Sequence, residues 1–213
     1  MPQILVPSLF DYVLSDVTKP GKSITLDEAK ELFIFFKNNP LFKWQDVHNN
    51  CEARAEAICI LLTVWQVPHY KGWVFSGAFL KNHIGGLKQL WNYHVGALLP
   101  VLVNEQLVNY IIDPSTSGSL QTLEDWAANV TEYPHSYHLI KSADYYIFPH
   151  GKIFKDNWHK RNKQNRKWVI QGLAGINGLS GKGKAQLCFR KNKLRVTAER
   201  FWALRNDNPL GRS

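Results

Sequence analysis

The stretch from Cys51 to Gln66 constrains the fold most. Asn49-Asn50 precedes it, and Asn49 with Glu52 reads as a capping box that opens a helix. Pro68 stops that helix, because proline lacks the N–H that a further turn needs. The first half, Cys51-Glu-Ala-Arg-Ala-Glu, mixes polar and apolar residues, whereas the second half, from Ala57, is apolar almost all round. A surface helix needs only one apolar stripe. A helix apolar on every side must be wrapped by other elements, so this one is expected to be buried and central. The chain has 213 residues, 45% of them hydrophobic, which is enough for one full core. Its longest apolar runs, Ala57–Leu62 and then Val64–Trp65, fall far short of the roughly 20 residues a bilayer span needs.

Other elements can be placed around that helix. Residues 1–22 read as a lead-in closed by Pro20-Gly21. Thr25-Leu26-Asp27-Glu28 is a second capping-box pattern. The helix it starts puts Leu26, Ala29, Leu32, Phe33 and Phe36 on one face, up to Asn38-Asn39-Pro40. Gly72–Phe79, Leu90–Val103, Gln106–Ile112 and Tyr145–Phe148 read as strands, and 120–130 as a short helix. Residues 152–167 are basic and polar. Gly172–Lys184, with five glycines, reads as a flexible loop, Leu187–Val196 as a strand, and Ala198–Arg205 as a short terminal helix. A helix pair followed by several strands argues for an α+β fold over a βαβ repeat.

Charge and cysteine narrow the setting. Residues 1–150 carry 10 Lys/Arg against 14 Asp/Glu, net −4, and residues 151–213 carry 16 against 3, net +13. The last third is therefore a solvated basic surface or the footprint of an acidic partner. Met1–Asp16 has no basic start and carries Pro7 and Asp11 in its apolar stretch, so no signal peptide is expected. Three cysteines, Cys51, Cys59 and Cys188, make neither a disulfide framework nor a zinc knuckle. Cys51 and Cys59 lie roughly 12 Å apart along one helix, too far to bond to each other. A reducing compartment fits, either the cytoplasm or the interior of a cell into which the protein is delivered.

The two cysteines of the central helix differ in setting. Cys51 falls in the opening turn, where unpaired N–H groups and the helix dipole favour a thiolate and can hold an oxyanion. Cys59 reads as core. A thiol nucleophile needs a base, and His94 lies in a strand-like run. Asp113 ends the next run, beyond a two-residue turn at Asn104-Glu105. If Val103 pairs with Gln106, opposed residues sum to 209, so Asp113 faces Gly96 and His94 is a diagonal neighbour within reach. Asp113 can then orient His94, with His94 facing Cys51 on the packed helix. The same residues also read as an inert thiol, a core histidine and a turn-forming Asp-Pro.

Three blocks carry a family resemblance: Cys51-Glu-Ala-Arg-Ala, Trp91-Asn-Tyr-His-Val and Tyr110-Ile-Ile-Asp-Pro-Ser115. In this order and at these separations they resemble the bacterial protein glutaminases, the protein-glutamine deamidases. A weaker likeness takes in the preceding helix, Phe42-Lys43-Trp44 and Tyr145-Tyr146, so it spans roughly residues 23–172. The resemblance implies a transglutaminase-like, papain-related α+β fold, with a central nucleophile helix packed on an antiparallel sheet. It implies Cys51 as nucleophile, His94 as base and then acid, and Asp113 as orienter. The implied reaction is hydrolysis of protein-bound glutamine to glutamate and ammonia through a thioester, with a protein substrate and no cofactor or metal. Trp44, Trp91 and Tyr93 are candidates to line the glutamine slot. Gln45 stands where papain-like enzymes keep an oxyanion-hole amide. Arg54 is expected in a buried ion pair. The chain then divides into the lead-in 1–22, a catalytic domain 23–172 and a basic extension 173–213. The secreted members are disulfide-rich and carry a pro-region, and this sequence shows neither.

Neighbouring functions use the same residues. A transglutaminase or a cysteine protease keeps the triad and changes the acceptor or the donor. A nucleic-acid-binding module would rest on Lys152–Lys167 and Lys182–Arg195, with Trp158, Trp168 and Phe189 interleaved. Delivery as an effector or toxin would suit a deamidase without a secretion signal. Gly178–Lys184 imitates a phosphate-binding loop, but Ala185 stands where Mg²⁺ needs Ser or Thr. His135 and His138 lack companions at metal-ligand spacing.

Overall fold

Thr25 closes the capping box its sequence predicts: its Oγ1 accepts from Glu28 N at 3.3 Å, and the Glu28 carboxylate accepts from Thr25 N at 2.7 Å. The computed structural model describes residues 23–45, 50–75, 93–130, 137–147, 158–160, 163–177 and 184–211. In it β1 (Ile24–Thr25) leads into α1 (Leu26–Asn38), which buries Ala29, Leu32, Phe33 and Phe36. The central helix α2 (Cys51–Val64) buries every residue from Ala53 to Leu62, as its all-round apolar surface requires. Its start differs from the prediction. Asn50 is the cap, in the left-handed region at φ 71° and with no side-chain capping bond. Glu52 accepts from the Cys51 thiol at 3.4 Å, and Asn49 lies outside the described residues.

The sheet follows. It contains β2 (Tyr70–Phe75), β3 (Tyr93–Val103), β4 (Gln106–Ile112), β5 (Gln121–Thr122) and, after α3 (Leu123–Val130), β6 (Tyr137–Ser142). The order is β5-β4-β3-β2-β6, antiparallel throughout, with β1 adding a short parallel pairing to β3. Asn104 and Glu105 both take positive φ, 47° and 66°, the conformation a two-residue hairpin needs to follow strand twist. The register runs from Val103↔Gln106 to Ala97↔Ile112 without a bulge at Pro100, so opposed residues do sum to 209.

The sheet has two buried faces. Val95, Ala97, Leu99 and Val101 of β3 pack on the side of α2, and Leu98 packs with Val74, Ile111 and the α3 residues Leu123, Trp126 and Val130. Such alternation is the period of two expected of a strand.

The carboxy-terminal third departs most from its prediction. After the small pair β7 (Tyr145–Ile147) and β8 (Trp158–Lys160) come α4 (Lys163–Ile176) and α5 (Lys184–Ala203). The strand predicted over Leu187–Val196 is helix. Thr197, Phe201 and Leu204 are buried at helical spacing, which a strand cannot produce. The loop predicted from Gly172 is helical to Ile176, and 178–183 lie outside the described residues. Residue 172 falls inside α4, whose Val169, Leu173 and Ile176 share one core with α1, α2 and Phe201 of α5.

Candidate active site

Asp113 is the best-supported group of the site. It follows β4 directly and is buried, as is His94. His94 Nε2 lies 2.6 Å from Asp113 Oδ2. Gly96 makes the approach possible, since a Cβ there would lie 2.5 Å from Ile111 Cγ2 and 3.4 Å from Asp113 Cβ. Three further residues donate to the carboxylate: Ser115 through N and Oγ to Oδ1, Thr116 through Oγ1 to Oδ2 at 2.9 Å, and Trp126 through Nε1 to Oδ2 at 2.9 Å. Burial alone would raise the Asp113 pKa. The charge and hydrogen bond of His94, with the bonds from Ser115 and Trp126, outweigh it and hold the carboxyl well below the usual range. An ionised carboxylate only accepts. His94 Nε2 therefore carries its proton, and a neutral ring presents its lone pair at Nδ1.

Cys51 reaches the first residues of β3 from the start of α2. Its half-buried thiol packs with Ala55, Trp73, Phe75, Tyr93 and Val95. His94 lies with Asp113 toward α3, its ring 5.7 Å from that of Trp126. Thiol and imidazole thus both stand at the first residues of β3. Their charges still share one neighbourhood: Asp113 acts on Cys51, and His94 acts on Glu52.

The surroundings of the thiol work against the thiolate that its place at the helix start favours. Burial pushes its pKa well above the ordinary value, and the charge and hydrogen bond of Glu52 and the charge of Asp113 add to the effect. A backbone hydrogen bond from Val95 works against them. Burial also raises the pKa of Glu52, and its own backbone N–H, Cys51, His94 and Arg54 pull it down.

The remaining predicted site residues separate cleanly. Trp44 is core: its Nε1 donates to Phe36 O at 2.8 Å and its ring stacks on Phe42. That placement leaves no face for a substrate slot. Tyr93 is half-buried beside Cys51, its ring 5.6 Å from that of Trp73, a position that suits a slot wall. Trp91 lies outside the described residues. Gln45 is exposed at the end of the 41–45 loop. Arg54 is buried and donates from Nε to Phe42 O and from Nη2 to Lys43 O, both at 2.8 Å, and its guanidinium lies over Trp44. It ties that loop to α2. Sequence reasoning misses Ser115, Thr116, Trp126 and Glu52. Ser115 and Thr116 carry a signal, because hydroxyls just after an Asp-Pro are placed to cap that carboxylate. Cys59 is buried, its thiol 3.7 Å from Tyr70 O. Among the described residues no group of His, Cys, Asp and Glu is placed to hold a metal, and no helix is long and apolar enough to cross a membrane.

Comparison with known proteins bears on the fold. A glutaminase family model matches residues 29–130. A search of curated protein sequences returned no match. Among solved structures, a crystal structure of pro-protein-glutaminase is similar with a TM-score of 0.58 at 20% identity, over 78% of this chain and 61% of that one. The NMR structure of protein-glutaminase from Chryseobacterium proteolyticum is similar with a TM-score of 0.55 at 17% identity, over 73% of this chain and 86% of that one. A crystal structure of protein-glutaminase gives 0.57 at 19%, over 74% and 89%. The chain thus spans about three fifths of the pro-protein-glutaminase chain (61%). The α+β architecture, a central helix packed on an antiparallel sheet, is the transglutaminase-like, papain-related fold of these proteins. A glutaminase family model thus matches residues 29–130, and the chain carries the protein-glutaminase fold.

Proposed function

We propose that the chain deamidates glutamine side chains of proteins, with Cys51 as nucleophile, His94 as base and then acid, and Asp113 as the group that orients His94. The observation that carries this reading is the buried His94–Asp113 pair, 2.6 Å apart, at the end of β3 where the Cys51 thiol meets Val95.

The high thiol pKa supports a nucleophile made at the moment of attack. His94 Nδ1 takes the proton as Sγ bonds to the carboxamide carbon. The carbonyl oxygen becomes an oxyanion, which the N–H groups at the start of α2 that make no bond within the helix are suited to hold. Gln45, six residues before Cys51 and on a loop anchored through Arg54, is the side-chain donor proposed beside them. The imidazolium gives its proton to the amide nitrogen, the C–N bond breaks and ammonia leaves a thioester. Water adds to that carbonyl as His94 takes its proton. The C–S bond then breaks, glutamate is released and the proton returns to sulfur. Asp113 keeps Nε2–H in place throughout, so Nδ1 always does the exchange. Tyr93 lines the glutamine stem. The net +13 of residues 151–213 suits docking of an acidic protein surface.

The test is ammonia release from an unfolded, glutamine-rich protein, with mass spectrometry to find glutamines heavier by about 1 Da as the amide becomes a carboxyl. Loss of both signals in Cys51→Ala is expected. Incorporation of an added primary amine in place of water would make the chain a transglutaminase. Peptide-bond cleavage would make it a protease, and no reaction at any glutamine would refute the proposal.

A further inference from the structure

The helix α4 crosses α2 at its first turn, and at the crossing Gly172 meets Ala53 and the side chain of Asn50. A Cβ added at Gly172 would lie 2.6 Å from Ala53 Cβ and 3.2 Å from Asn50 Oδ1. These two residues flank Cys51 closely: Asn50 is the left-handed cap just before it, and Ala53 is two residues after it. We infer that Gly172 is a positioning residue for Cys51, its bare Cα letting α4 seat against residues 50–53 and so set where the thiol stands beside β3. The inference rests on Cys51 being the nucleophile.

The seat is closed on all sides. Asn177, just past α4, donates from Nδ2 to Leu41 O at 2.7 Å and to Leu173 O at 2.8 Å. The next two carbonyls of that loop, Phe42 and Lys43, accept from Arg54, the residue after Ala53. Arg54 N in turn donates to Asn50 O at 3.1 Å. Loop, α2 and α4 therefore form a ring of contacts around the turn that carries Cys51. On the other side α4 is fixed by Val169, Leu173 and Ile176 in the core. A methyl at residue 172 has to be accommodated by movement of α4 and the start of α2 relative to each other. Ordinary contact begins at 3.4 Å, so the crossing must open by 0.8 Å from the 2.6 Å position, and residues 50–53, which carry the thiol between them, share in that shift.

A displacement near 1 Å at a reacting group is worth about 10²-fold in rate. Gly172→Ala in the full chain is therefore expected to lower kcat by about 10- to 100-fold with KM changed by less than about threefold. It should also change the rate at which iodoacetamide labels Cys51, read on the Cys51 peptide by mass spectrometry. Gly175→Ala on the same helix is the control, since a Cβ there meets nothing within 4 Å, and it should leave both readings unchanged. The swap Gly172→Ala/Ala53→Gly restores one methyl to the crossing and should recover both readings. A purely structural role would lower the melting temperature of Gly172→Ala while leaving kcat and labelling of the folded protein alone, and that result overturns the proposal. A swap that does not recover, or equal loss in Gly175→Ala, overturns it as well. Should Gly172→Ala fail to fold, Ala53→Gly alone opens the crossing without a clash: a several-fold change in both readings supports the proposal, and wild-type values overturn it. Labelling needs no substrate. A wild-type chain that labels normally but turns over no glutamine refutes the deamidase reading, and the labelling comparison still decides the role of Gly172.

Discussion

Glu52 restrains the thiol it follows, and Glu52→Gln tests this directly. The carboxylate sits 3.4 Å from Cys51 Sγ. At that distance a unit charge is worth about 5 kcal/mol at an effective dielectric of about 20, and about 1 kcal/mol in bulk water. Each factor of ten in the thiol–thiolate equilibrium is about 1.4 kcal/mol. Removing the charge should therefore lower the thiol pKa and raise the thiolate fraction at neutral pH. The gain lies between about tenfold and about a few thousandfold. Cys51 is half-buried, so it belongs between these limits. Glutamine keeps the size and an acceptor oxygen, so only the charge changes. The assay is the pH profile of iodoacetamide labelling at Cys51, resolved by peptide so that Cys59 and Cys188 do not contribute. Iodoacetamide reacts with the thiolate, so labelling at neutral pH should be faster by about tenfold or more. A midpoint that stays put or moves up would show that burial alone sets the thiol, and the charge argument would fail.

Asp113→Asn should preserve the fold and lower kcat by about 10³- to 10⁴-fold, because a neutral amide no longer fixes the tautomer that puts the His94 lone pair at Nδ1; steady-state ammonia release measures it. Asp113 also ties stability to acid. Its folded pKa lies below the unfolded value of about 3.9, so its contribution is complete above about pH 4 and lost as pH falls through the folded pKa. Urea melts from pH 7 down to pH 2 should show a steeper acid limb in the wild type than in Asp113→Asn. Behind the site, Lys71 on β2 and Glu56 on α2 form an ion pair almost without exposure, and Lys71 Nζ also donates to Tyr145 O at 2.8 Å. Lys71→Met takes the ammonium away from a buried carboxylate and should cost about 3–5 kcal/mol, whereas Lys71→Met/Glu56→Leu should regain most of it; a double-mutant cycle by urea denaturation that finds the two losses additive would refute this account.

What is legible in the sequence is what local rules decide. The apolar sweep of Ala57–Leu62 requires a wrapped helix, and α2 is wrapped. The two-residue turn at Asn104-Glu105 sets the β3–β4 register, and that register alone brings Asp113 within reach of His94. The hydroxyls of Ser115 and Thr116 stand beside Asp113 in the chain and follow from the same turn. Trp126 does not, because its bond to Asp113 depends on how α3 docks on the sheet, which no local pattern encodes. Trp44 is a similar case: its indole bonds to Phe36 O across a turn at Pro40 and becomes core. The thiol escapes local rules because a helix start acts together with its surroundings. The dipole of a first turn is a modest effect of about 0.3–1 kcal/mol, and burial with an adjacent carboxylate exceeds it.

The glycines of residues 172–184 show most clearly why composition misleads. Five glycines in thirteen residues argue for a loop when each is counted as lost backbone order. Gly172 and Gly175 sit instead within α4, and they differ from each other. At Gly175 a side chain would meet open space, so glycine there only weakens the helix. At Gly172 a side chain would meet the turn that carries Cys51, so the missing Cβ is what lets the two helices approach. The same residue type therefore has opposite meanings three positions apart, and only the partner surface distinguishes them. It follows that the carboxy-terminal helices, which lie beyond the region matched by the family model, still bear on where Cys51 stands. Substitutions in α4 facing α2 should perturb Cys51 more than equally drastic ones on the exposed face of α5, where Arg195 pairs with Glu199 and Asn192 of its own helix.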